Sequence, residues 1–165
     1  MPRSEYSNSP AGAIFSKDRK YRYLLWRKWS EGDTFLGVVG LNPSTADETF
    51  DDPTIRRCIG FARDWGYAGL YVLNLFAFRA TKPTALRAAI DPVGADNDRW
   101  LWTISKNAAL IIAAWGNDGL WGTRASIVLP RLSKPYCLGL TKLGAPRHPL
   151  YVKKTQAPIE FSMRM

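Results

Sequence analysis

The sequence predicts an α/β sandwich of three layers, with helices on both faces of a mostly parallel, four-stranded central sheet. Three observations carry this. Continuous β-prone runs recur along the chain, helical patterns separate them, and each separation is long enough for a crossover connection. A length of 165 residues suits one domain spanning 1–165.

The elements follow in order. YRYLLWRKW (Tyr21 to Trp29) mixes aromatic and basic residues and fits an edge strand or a short helix; its periodicity does not choose. TFLGVVGL (Thr34 to Leu41) reads as the first buried strand. DDPTIRRCIGFARDWG is a helix in which Asp52 caps, Pro53 opens the first turn and Gly66 stops it. Ile55, Ile59 and Ala62 form its apolar face. LYVLNLF (Leu70 to Phe76) is the second strand, Asp96 to Asn107 a helix, and LIIAAWG (Leu110 to Gly116) the third strand. A shorter helix is expected within Asp118 to Leu132, then PYCLGLT (Pro135 to Thr141) as the fourth strand.

Composition narrows the function classes. With 46% hydrophobic and 22% charged residues the chain is globular, and no apolar run approaches the roughly 18 residues of a membrane helix. The N-terminus lacks the apolar segment of a secretory signal, so a cytoplasmic monomer is expected. Cys58 and Cys137 read as core thiols and imply no metal or other cofactor. The net charge of +9 is uneven. Residues 1–30 carry seven Lys/Arg against two acids and residues 131–165 seven against one, while the middle is near neutral. Basic flanks around a neutral centre suit a protein that grips phosphates at the edge of a site, and equally suit solvated faces.

Parallel sheets bind ligands beyond the carboxyl ends of their strands. That rule selects loops after the four strands. In GLNPSTAD, Gly40 permits close approach, and Pro43 holds Asn42 extended beside Ser44 and Thr45. An Asx turn closing on its own backbone explains the same residues. In LYVLNLFAFRAT, Asn74 interrupts an apolar strand; its amide can read the edge of a pyrimidine or bond a neighbouring loop. His148, the only histidine, lies between Pro146 and Pro149, and its basic neighbours Arg147 and Lys142 favour the neutral ring.

These segments, in this order, resemble the uracil-DNA glycosylase superfamily over about residues 34–152. The motifs are Gly40-Leu41-Asn42-Pro43, Val72-Leu73-Asn74, Trp115-Gly116 and His148-Pro149-Leu150. LNPSTAD, DDPTIRR and NLFAFRAT also resemble a small bacterial and phage family of unknown function. The superfamily resemblance implies a DNA glycosylase that flips a modified, damaged or mismatched base from single- or double-stranded DNA and hydrolyses its N-glycosidic bond, in repair or in defence against phage DNA. It implies that Asn42 positions water, Asn74 reads the base, His148 stabilises the leaving base, and Phe50 or Phe76 stacks on it. Leu150 and Tyr151 would form a wedge beside Lys153 and Lys154, with Arg147 and Arg79 as further DNA contacts. Ser44, following the Pro, would leave room for a larger pyrimidine. Asn42 cannot act as a general base; Asp47, Asp51 or Asp52 could supply one, Asp47 being the candidate carboxylate and capping the stronger reading of Asp51 and Asp52. A non-catalytic nucleic-acid or nucleotide-binding module, or an enzyme of free modified nucleosides or nucleotides, remain the competing expectations.

Overall fold

Strand formation starts where the chain alternates large apolar side chains between two faces. In the computed structural model, which describes residues 9–162, β1 (Ala11–Phe15) and β2 (Arg22–Lys28) form an antiparallel pair. The next elements are β3 (Phe35–Gly40), α1 (Pro53–Asp64), β4 (Gly69–Asn74), α2 (Pro83–Ala88) and α3 (Asn97–Asn107). They are followed by β5 (Leu110–Ala113), α4 (Arg124–Val128), β6 (Tyr136–Cys137) and β7 (Ile159–Glu160). Short 3-10 turns cover Asn117–Leu120, Leu129–Arg131 and Pro149–Tyr151.

One sheet contains all seven strands, in the order β1-β2-β4-β3-β5-β6-β7. The α/β class holds, whereas the expected four-stranded, mostly parallel sheet is corrected to a seven-stranded mixed one. Parallel pairing joins β4 to β3, β3 to β5 and β5 to β6; the β1–β2, β2–β4 and β6–β7 pairs are antiparallel. The correction has a physical source. β1 is short and half-buried, β7 has two exposed residues, and neither makes an apolar run that sequence patterning detects. Tyr21 to Trp29 contains strand β2, which is internal because β1 and β4 flank it on either side. Only Tyr136 and Cys137 of the fourth expected strand are paired in the ladder.

Side-chain alternation divides the core. Leu36 and Val38 of β3 pack with Leu70, Val72 and the Ile55, Cys58, Phe61 and Ala62 stripe of α1. The intervening Phe35 and Val39 pack with Tyr71, Leu73 and the Trp100, Leu101 and Ile104 face of α3. Helices thus cover both faces. The buried stripe of α1 runs through Cys58 and Phe61, with Ile59 half-buried at its margin. The cap of α1 follows the sequence: the Asp52 side chain accepts from Ile55 N–H at 2.9 Å, Pro53 opens the helix, and Gly66 takes φ of 84° after its end.

This winding decides where a site can form. From β3 the chain crosses through α1 to β4 on one side, then through α2 and α3 to β5 on the other side of β3. The crossovers diverge at the carboxyl end of β3, the switch point at which such sheets leave a crevice.

Candidate functional site

The crevice is a cavity of about 570 Å³ at the carboxyl ends of β3, β4 and β5, on the α1 side of the sheet. Val38, Val72 and Cys58 supply its apolar part. The Cys58 thiol is buried and pushed up to about 12 by desolvation, so it stays a protonated core group.

Among the polar groups that line this cavity are Arg22, Asp52, Asn74 and His148, from four separate segments. Arg22 opens β2, and the antiparallel pairing with β4 brings that end of β2 level with the carboxyl ends of the parallel strands. Its side chain is 2% exposed, and one guanidinium nitrogen donates to Ala46 O at 3.2 Å. Burial lowers its pKa to about 10, with the nearby Asp52 charge acting the other way. The guanidinium therefore remains a cation at neutral pH.

Asp52 both caps α1 and faces the cavity. Its Oδ1 holds the Ile55 N–H, and its negative charge acts on both Arg22 and His148. Asn74 ends β4 opposite Gly40 and is 3% exposed. A Cβ on Gly40 would stand 3.0 Å from Asn74 Oδ1, so the glycine makes room for this amide.

His148 caps the Pro149–Tyr151 turn, its Nδ1 accepting from Leu150 N–H at 3.2 Å. That bond leaves the proton of the neutral ring on Nε2, available as a donor. Desolvation lowers the imidazole pKa below its usual 6.5, opposed in part by Asp52, so the neutral ring prevails at pH 7. Arg22 Nε, Asn74 Nδ2 and Trp115 Nε1 are buried without a hydrogen-bond partner, and all three residues line the cavity. An unpaired buried donor costs about 1–3 kcal/mol, which a ligand rich in acceptors would recover.

The structure brings some expected residues to this cavity and sends others elsewhere. Gly40, Asn42, Ser44, Asn74, Arg147, His148, Leu150 and Tyr151 line it. The Asn42 amide nitrogen, however, donates to the carbonyls of Pro43, Ala80 and Phe78 at 3.0, 2.9 and 3.4 Å. It ties the loop after β3 to the loop after β4. Asp47 does not line the cavity; its Oδ1 closes a turn by accepting from Thr49 and Phe50 N–H, which lowers its pKa. Phe50 is exposed outside the cavity, and Phe76 is a core ring whose centroid lies 5.3 Å from that of Trp121, the two planes tilted by 44°. Arg79 lies over the Phe15 ring and donates to Arg19 O, away from the cavity. Lys153 and Lys154 are exposed beyond the Pro149–Tyr151 turn.

Arg22 is the residue that the sequence did not disclose, and Asp52 stood out there first as a cap and only second as a candidate base. An arginine within an aromatic and basic stretch looks like surface, and the capping pattern hid the second face of Asp52. The signal for both was their position at strand and helix starts on one end of the sheet.

Residues 22–150 match the family model described as "Protein of unknown function (DUF1643)". The chain belongs to that family. No curated protein and no solved structure matches it. The resemblance to the uracil-DNA glycosylase superfamily is therefore corrected: the matching family is one of unknown function, and nothing joins the chain to that superfamily. The four motifs that suggested it are short strand ends and Pro-bounded loops, which sheets of this winding place at their carboxyl edge in any case. The Asn of the first motif, moreover, holds two loops together.

Proposed function

We propose that the cavity is the active site of an N-glycosidic bond hydrolase acting on a base extruded from DNA. The observation that carries this reading is the convergence on one cavity of Asn74, with an unpaired buried amide N–H, and a neutral His148 with a free Nε2 donor. A volume of about 570 Å³ suits a nucleoside-sized guest.

In this mechanism Asn74 bonds the edge of the base, and His148 Nε2–H bonds a base oxygen as negative charge develops there. The bond from C1′ to the base nitrogen breaks with its electron pair leaving on the base. Water adds to the cationic sugar carbon, and Asp52 takes the proton released by that water. The products are an abasic sugar and a free base, which regains a proton from solvent. Arg22 balances the Asp52 charge. No metal step is required by this sequence of bond changes.

A panel of oligonucleotides bearing uracil, mismatched thymine, hypoxanthine and 5-substituted pyrimidines, developed by alkaline cleavage, tests the reading. Strand breaks with at least one member are expected for the wild type, and loss is expected in Asp52→Asn, Asn74→Ala and His148→Ala. Undiminished cleavage in all three variants would overturn the assignment of residues. The buried Arg22 cation also supports a second reading, a nucleotide-binding module without catalysis. Tight DNA binding with no abasic product across the panel would favour it.

A further inference from the structure

A second concavity, about 530 Å³, lies on the outer side of α1 beside the Pro149–Tyr151 turn. Arg56, Arg57, Gly60, Asp64, Leu150 and Lys154 line it. Leu150 lines the first cavity too, so the two depressions share a wall. Three cations face one carboxylate here. Among the described residues the two arginines are held by carbonyls, not by acids: Arg56 donates to Asp51 O at 2.6 Å and Arg57 to Val152 O at 3.5 Å. Held this way, each guanidinium keeps its charge and further N–H donors for a ligand.

Gly60 supplies an independent observation. It sits inside α1, where glycine is a poor helix former, yet an added Cβ would meet nothing within 4 Å. Packing therefore does not require the glycine. Its bare backbone instead keeps the concavity open between the basic side chains.

We propose that this concavity binds the phosphodiester backbone of the DNA strand flanking the nucleotide held in the first cavity. The inference rests on the reading that the first cavity receives a nucleotide from DNA. Its occupant follows from charge complementarity and from the shared Leu150 wall: a strand leaving the cavity mouth passes directly over Arg56, Arg57 and Lys154.

The test uses fluorescence anisotropy with a labelled single-stranded DNA over a KCl series. Arg56→Gln/Arg57→Gln/Lys154→Gln should lower the slope of log affinity against log salt by about two, since each phosphate contact on a single strand contributes about 0.7. Gly60→Gln should weaken strand binding at least about tenfold without lowering the melting temperature, because it fills the concavity and improves the helix. Affinity for thymidine monophosphate, which reports the first cavity, should be unchanged in both variants. Wild-type salt slopes and affinities in both variants overturn the proposal while leaving the first cavity's reading intact. No DNA binding by the wild type, or tighter binding of RNA of the same sequence, also overturns it. Strand binding that falls in the variants with no base released by any protein supports the strand site and overturns the hydrolase reading instead.

Discussion

Asp52 has two separable roles, and substitutions can divide them. Asparagine keeps an oxygen for the Ile55 N–H and is as good a cap as aspartate, but it cannot take a proton from water. Asp52→Asn should lower base release on the order of 10²-fold or more, the usual contribution of a general base. Asp52→Ala loses the cap as well, and should be less stable than Asp52→Asn by about 1 kcal/mol in denaturant melts. His148 gives a pH signature opposite in sign to that of a histidine paired with an acid, and of the same sign as that of a paired carboxylate. Its folded pKa lies below the usual 6.5, so the unfolded chain binds the proton more readily. Its contribution is complete above that value and declines as pH falls toward the folded pKa. Urea midpoints of wild type and His148→Gln between pH 8 and pH 5, a range of about three units around the usual histidine value, should diverge above that value and converge at the acid end.

Loops are the elements that set the site, and their ties can be cut one at a time. Asn42 donates to carbonyls of its own loop and of the loop after β4, so Asn42→Ala should cost about 1–2 kcal/mol of stability. Amide hydrogen exchange should rise at residues 78–81 and leave α3 unaffected. Gly40→Ala acts differently. Its new Cβ would press on Asn74 Oδ1 at 3.0 Å, turning the amide without removing a hydrogen bond of the core. Activity should fall on the order of tenfold with melting temperature nearly unchanged, as expected when a positioning group shifts by a fraction of an ångström. On the other side of the first cavity, Arg27 secures the loop before α1. It pairs with Asp51 at 2.8 Å and donates to the carbonyls of Asp47 and Phe50. That loop is therefore a built support for Asp52.

At the scale of the molecule, the legible parts were those whose physics is local. The buried runs of β3, β4 and β5 announce themselves by continuous apolar residues, and α1 by its cap, proline and terminal glycine. Asn74 and His148 stood out because a polar group in an apolar strand, or a histidine between prolines, needs an explanation. Edges were hidden: β1 is short and half-buried, β7 has two exposed residues, and both exist through pairing, not through pattern. Arg22 was hidden for a related reason. Its guanidinium is buried where it reaches the Ala46 carbonyl in the loop after β3, and no stretch of sequence around residue 22 records that. In sequence Asp47 is the candidate carboxylate and Asp52 a cap, and only the tertiary path shows that Asp47 closes a surface turn while Asp52 reaches the cavity.

The antiparallel placement of β2 has a consequence for the order in which the site comes into being. Arg22 leaves the ribosome before Asn74, and His148 only after the whole parallel core has been made. Until residue 148 has emerged, the cavity lacks one wall and the second concavity lacks Leu150 and Lys154. A chain under synthesis thus carries its parallel core before it carries a closed cavity. The wall that closes the cavity is thus made after the sheet it closes against.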